Sequence, residues 1–329
     1  MYVDLKTLEA QFKPQASATA PTAENRYDPF AVHASLKLRL NRVLRAVVEK
    51  TGSAAEILEL AGAIVAHAHR DAEAAIAASL LDRHEEVYPV GHSLNAAVLC
   101  AAIARRLGWA DDRLTATVCA AMTMNAGMLE YHQRLHRQAT PLAAAQVEVL
   151  HRHAAVSVSL LEEIGIVDAV WLGAVREHHE KPGGAGYPAG NPAPSESSQL
   201  LRIADVFDAR TQLRGDRKAL APAQVIRHLF ADEGKGSGAV FANALVQVFG
   251  LYPPGSLVRL ANGEQAVVFR HGEGPGTPVV AAVTTGAGTP VMQPVRRETH
   301  RLGLSVVGTL VPERFAFGYD LGKLWISRS

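Results

Sequence analysis

The chain is short of most features that would assign it to a class at once. It has two cysteines in 329 residues, Cys100 and Cys119. Each lies in an Ala-rich apolar run, so buried reduced thiols are expected and a disulfide framework is not. Net charge is close to nil, +1 at pH 7, which gives neither the basic field that attracts a nucleic-acid polymer nor the acidic excess that favours disorder. The Lys/Arg clusters are brief, and Arg105–Arg106 and Arg296–Arg297 read as solvated faces. No window approaches the roughly 18 apolar residues of a spanning helix, so membrane insertion is not expected. Met1–Lys6 lacks the charged start and apolar stretch of a secretory signal. These absences leave a cytoplasmic globular protein as the expectation. What the chain does have is aliphatic: 48% of its residues are hydrophobic and only 6% aromatic, enough for a sizeable core.

The pattern along the chain divides it in four. Residues 1–28 read as a flexible leader, because Phe12–Asn25 is rich in Pro, Ala, Ser, Thr and Gln and short of large apolar groups. Residues 29–84 read as a helical segment. Leu36–Val48 has helical spacing, Ser53 is an N-cap with Glu56 three positions on, the capping-box pattern, and Ala72–Leu81 is a further helix. Residues 85–250 read as a larger helical domain, with Val90–Leu107 apolar nearly all round, as a core helix is, followed by Asp111–Met124. Thr140–Ile164 is expected to begin at Pro141 and stop at Gly165. Val167–His179, a Gly/Pro loop over Gly183–Ser195, and helices at Gln199–Thr211, Ala221–Ala231 and Ala239–Phe249 complete it. Residues 251–329 change texture: Ser256–Leu260, Gln265–Arg270, Val279–Val283, Leu304–Leu310 and Phe315–Asp320 are short β-prone runs separated by turn residues. The fold class is therefore mainly α, with a small β-rich C-terminal appendage.

Four of the histidines stand where a site could be built. His178-His179-Glu180 ends a helix and enters the Gly-rich loop, His92 opens the core helix, and His153 lies in the middle of a long helix. Asp205 sits in the apolar run Ile203-Ala204-Asp205-Val206-Phe207, where an unpaired carboxylate would cost several kcal/mol and must be paired or metal-bound. Imidazoles and carboxylates drawn from separate helices suit Mn, Fe or Zn, although the spacing is that of no compact zinc motif. His132 and His136 stand at i, i+4, but their neighbours are polar and a solvated helix face is expected there.

His178-His179-Glu180 followed by Gly186-Tyr187-Pro188 resembles the HHE…GYP signature of HD-GYP proteins, a branch of the HD phosphohydrolases. His92 in Gly-His-Ser-Leu-Asn resembles the family's first helix histidine, and His153 its next. Ala204-Asp205-Val206-Phe207-Asp208-Ala209 resembles the late metal-binding aspartate segment, and Arg214 and Arg217 resemble a phosphate-contacting stretch. The likeness covers roughly residues 85–270. It implies an HD-type helical bundle, cyclic di-GMP as ligand, metal ligation by His92, His153, His178, His179 and Asp205, and nucleotide contacts from Tyr187, Arg202, Arg214 and Arg217.

The likeness breaks at the namesake His-Asp pair. The family pattern HDxGK stands here as Met124-Asn125-Ala126-Gly127-Met128. Two cations roughly 3.5–4 Å apart need an anionic bridge. Asn125 is neutral, Met124 offers a soft thioether better suited to copper, and Met128 removes a cation that could meet phosphate. The implied cofactor is one divalent transition ion (Mn, Fe or Zn) or none, and His92 and Asp205 could instead pair with each other. The expected function is a degenerate signalling protein that senses a nucleotide or engages a protein partner, with hydrolysis impaired or lost. The alternative is an active metal-dependent phosphodiesterase with an altered, single-metal site.

Overall fold

A computed structural model describes residues 27–82, 87–213, 215, 218–233, 237–274, 276–311 and 320–326. The leader up to residue 26 lies outside the described residues. Asp28 already belongs to the fold: its carboxylate accepts from the amides of Phe30 and Ala31 and caps α1 (Pro29–Val48). In α2 (Ala54–Arg70), the Ser53 hydroxyl accepts from the Glu56 amide, the cap read from the sequence. After α3 (Ala72–Leu81) comes α4 (Tyr88–Arg106). Residues 88–104 of α4 are buried without a break, so α4 is the axis of the bundle, as its nearly all-round apolar texture implies.

Around α4 pack α5 (Asp111–Thr123), α6 (Leu129–Arg137), α9 (Glu196–Thr211) and α11 (Ala239–Phe249), with α7 (Ala144–Glu163), α8 (Ala169–Glu177) and α10 (Pro222–Glu233) completing the layer behind them. One hydrophobic core runs from Leu36 in α1 to Phe249 in α11, so the N-terminal helices and the later ones bury their apolar faces against each other.

Helix α7 corrects the sequence expectation. It starts at Ala144, beyond Pro141. The Gln146 side chain accepts from the Ala143 amide and exchanges hydrogen bonds with Gln138, which fixes the start one turn later than the proline suggests.

The C-terminal part is a five-stranded antiparallel sheet in the order β4-β3-β2-β1-β5: β1 Leu257–Leu260, β2 Gln265–Arg270, β3 Val279–Thr284, β4 Pro290–Glu298 and β5 Val306–Leu310. Strand β4 is not among the runs expected from the sequence; it carries Pro290 and Pro294, which it tolerates as the edge of the sheet. The expected run Phe315–Asp320 falls outside the described residues except for Asp320. One face of the sheet packs Leu257, Val267 and Val283 on Ala74 and Ala77 of α3 and on Trp325 of α12 (Lys323–Ile326). Gly255 makes this approach possible: its φ is +90° and a Cβ there would lie 3.1 Å from the Ala77 α carbon. The other face buries Val258, Leu260, Val268 and Val280 among themselves. Arg297, read as part of a solvated cluster, instead makes a two-pronged ion pair to Glu264 at 2.8 and 2.9 Å.

Candidate metal centre

Two elements deliver three imidazoles to one point. His153 comes from the middle of α7, and His178 and His179 from the end of α8; one ring nitrogen from each lies within 4.8 Å of the others. The ring orientations are fixed locally. His153 Nδ1 is bonded to the Leu150 carbonyl, and His178 Nδ1 to the Val175 carbonyl at 2.7 Å. A carbonyl can only accept, so each Nδ1 carries the proton and each Nε2 keeps its lone pair.

Those two Nε2 atoms face each other at 3.1 Å. Two lone pairs so placed repel unless a cation lies between or beside them. Ligands bound cis at about 2.1 Å from a metal are roughly 3.0–3.4 Å apart, so the spacing fits a shared ion. The backbone bonds to the opposite nitrogens are the outer contacts that orient histidine ligands.

All three rings favour the neutral, ligating form. Burial, with the neighbouring His178, pulls His153 down to about 3. Burial likewise lowers His178, and lowers His179 well below the ordinary histidine value, with His178 adding to it. The donor set therefore fits a divalent transition ion without the deprotonation a cysteine site requires.

His92 and Asp205 meet, but in a different arrangement. His92 Nε2 lies 2.8 Å from Asp205 Oδ1, and His92 Nδ1 lies 2.8 Å from Asp208 Oδ2. With a carboxylate at each nitrogen the ring donates twice and is an imidazolium. Burial alone would lower its pKa, yet the two carboxylates raise it to about 10. Asp205 is held well below the usual carboxylate range: burial would raise it, and His92 together with His178 and His179 outweighs that. The second oxygen of Asp205 lies 4.0 Å from His179 Nδ1, so this carboxylate stands between the pair and the three imidazoles. A ligand role for His92 requires that ion pair to open, whereas Asp205 keeps its second oxygen towards the imidazoles.

Asp208 was not singled out from the sequence, nor was Asn95, whose amide donates to the other Asp208 oxygen at 2.8 Å. The signal was there: Asp208 is three residues after Asp205 in the same apolar helix, and the argument for a paired buried carboxylate applies equally to it.

The Gly-Tyr-Pro loop is tied directly to the histidines. Glu180, buried and adjacent to His179, accepts from the amides of Ala189 at 2.7 Å and Asn191 at 3.0 Å. Gly186 passes so close that a Cβ would sit 2.4 Å from the Lys181 nitrogen and 2.6 Å from the His179 carbonyl oxygen. Only glycine fits, and the next residue, Tyr187, is thereby laid on His179 with ring centroids 4.5 Å apart and planes 25° from parallel. His151 stacks on the same tyrosine at 4.3 Å.

The segment Met124–Met128 is buried against α7. A Cβ on Gly127 would lie 2.7 Å from the His153 carbonyl oxygen, and the Gly127 amide donates to Ser157 Oγ at 2.9 Å. Met124 and Asn125 are thus packed at the backbone level beside the helix that carries His153.

Arg202 is buried, and its charge bears on His179. Arg214 and Arg217 lie outside the described residues. The expectation for His132 and His136 is corrected: both are buried, packed around Tyr88, with the His136 ring stacked on it at 3.8 Å and the His132 ring edge-on at 5.0 Å. Their polar neighbours misled the sequence reading, because α6 is short and buries only His132, Leu135 and His136.

Residues 73–235 match the family profile described as HD domain. The chain is 30% identical over 197 residues to a cyclic di-GMP phosphodiesterase of Pseudomonas aeruginosa, covering 59% of this chain and 47% of that protein. It is 29% identical over 139 residues to a 3'3'-cGAMP-specific phosphodiesterase of Vibrio cholerae, covering 41% of this chain and 32% of that protein. The chain thus spans less than half the length of the curated relatives it matches. Among solved structures, an HDGYP protein from Bdellovibrio bacteriovorus superposes with a TM-score of 0.55 at 15% identity, over 74% of this chain and 76% of the other. At that identity the likeness is one of fold. Among the described residues no helix is long and apolar enough to cross a membrane.

Proposed function

We propose that this chain, whose residues 73–235 match the HD-domain profile, is one of the HD-GYP proteins and binds a cyclic dinucleotide such as cyclic di-GMP at a single-metal centre held by His153, His178 and His179, with hydrolysis impaired or lost. The observation that carries this reading is the pair of opposed Nε2 atoms, 3.1 Å apart with both tautomers fixed. An ion of Mn, Fe or Zn in that position would act as a Lewis acid towards a phosphodiester oxygen.

The chain's own residues supply the rest. Tyr187 places an aromatic ring beside the centre, and aromatic rings stack bases with little sequence preference. Buried Arg202 adds a positive charge near His179 that favours a phosphate. The His92 imidazolium, bonded to Asp205 and Asp208, offsets part of the negative charge beside the centre. What is missing is an anion beside a second ion: Met124 and Asn125 stand where the family has His-Asp, and neither offsets the repulsion of paired cations.

A second reading, an active single-metal phosphodiesterase, is favoured by the neutral state of all three imidazoles, which leaves a metal's open positions to water and phosphate. One assay separates the two. The purified protein, loaded with Mn or Fe, is given cyclic di-GMP, and both binding and turnover are measured. Binding without turnover supports the sensing role. Turnover at the rate of an intact relative overturns it in favour of the enzyme, and neither binding nor turnover removes the nucleotide from the account.

A further inference from the structure

Both faces of Tyr187 are covered. The His179 ring lies 4.5 Å away on one side and the His151 ring 4.3 Å away, each within 25° of parallel to the tyrosine. Two rings stacked that close on one face would touch each other, and the ring contacts of His179 are to His153, His178 and Tyr187. His151 therefore takes the outer face. The inner ring belongs to the buried centre and is held by it. The outer ring does not: His151 is exposed on α7, where its backbone is fixed by the helix and its side chain is anchored by the stack alone.

We propose that His151 is a specificity-determining residue, an internal competitor whose imidazole occupies the Tyr187 face that a ligand's planar base must take. The proposal rests on the reading of the three-histidine centre as a nucleotide site. A ligand whose phosphate reaches that centre can stack its base on Tyr187 only by turning His151 away. Rotation of an exposed side chain about its own bonds suffices for this, and neither α7 nor the loop has to move. The affinity of the site for base-bearing phosphodiesters is thereby lowered relative to ligands that present phosphate alone.

The test uses the full-length protein, with cyclic di-GMP and inorganic phosphate as probes in calorimetry. His151→Ala removes the competing ring at an exposed helix position and leaves the fold intact. It is expected to tighten cyclic di-GMP binding by roughly fivefold or more, the lower end of the value of one base–aromatic stack, and to leave phosphate binding unchanged. His151→Phe restores a ring on Tyr187 and is expected to return cyclic di-GMP affinity to the wild-type value or below. Equal cyclic di-GMP affinity in wild type and His151→Ala, or a parallel change for phosphate, overturns the proposal while leaving the nucleotide site standing. Absence of cyclic di-GMP binding in both proteins overturns the nucleotide reading and this inference with it.

Discussion

His153 and His178 each commit Nδ1 to the carbonyl three residues earlier in their own helix, and in doing so turn their Nε2 lone pairs on each other at 3.1 Å. Such a pair is costly when empty of any cation. Protein purified without chelator is therefore expected to contain about one equivalent of transition metal per chain, and His178→Ala to lose it, with metal affinity down by at least roughly 100-fold, since even outer-shell changes cost 10–100-fold. Elemental analysis and metal titration read this directly; unchanged uptake in the variant would place the ion elsewhere.

The second site can be tested by putting back what the chain lacks. Met124→His with Asn125→Asp supplies an imidazole and a bridging anion at the segment packed against α7. The expected stoichiometry rises from about one to about two metals per chain. Two equivalents already present in the unaltered protein would contradict the single-metal reading.

Gly127 sets the distance between that segment and His153. A Cβ there would lie 2.7 Å from both the His153 carbonyl oxygen and the Ser157 nitrogen. Gly127→Ala is expected to destabilise the fold by about 1–3 kcal/mol, the range for overpacking a tight interior, and to weaken metal binding because His153 moves with its backbone. Urea unfolding beside metal titration separates the two effects.

Glu180 holds the Gly-Tyr-Pro loop through two backbone amides. Glu180→Gln keeps its size but replaces one acceptor with a donor, leaving a loop amide without its partner at a cost of about 1–3 kcal/mol. Faster proteolytic cleavage between residues 183 and 195, with the rest of the chain resistant, is the expected readout.

A pH effect follows from His67, whose Nδ1 is hydrogen-bonded to the Tyr27 hydroxyl at 2.8 Å. Burial lowers its pKa from 6.5 to about 4 in the folded state. Between those values the unfolded chain binds a proton that the folded chain does not, so stability rises with pH across that window and is lost as pH falls. The shift limits the loss to about 3 kcal/mol. Urea midpoints at pH 4, 5 and 7 should fall more steeply in the wild type than in His67→Gln; parallel curves would show that His67 is not the group responsible.

Much of this architecture was legible in the residues. The nearly apolar run Val90–Leu107 suggested a core helix, and the Ser53–Glu56 cap and the β-prone runs after residue 254 pointed to their own elements. Asp205 stood out because a carboxylate in an apolar helix demands a partner, and His92, His153, His178 and His179 stood out through their resemblance to the HD-GYP motifs. Three features were not legible, each for a physical reason. Strand β4 was hidden because edge position, which excuses two prolines, is a property of the sheet. His132 and His136 were hidden because Tyr88, which buries them, is more than 40 residues away. His151 was hidden because its role depends on a loop 36 positions further on folding back across α7.

The sequence alone determined which residues are chemically able to ligate, and that Met124 and Asn125 carry no charge, because both are matters of side-chain identity. Tertiary structure decided how the able residues are grouped. It gathered three neutral imidazoles at one point and fastened His92 between Asp205 and Asp208, because lone-pair direction and ion pairing depend on distances of about 3 Å between helices that local pattern does not encode.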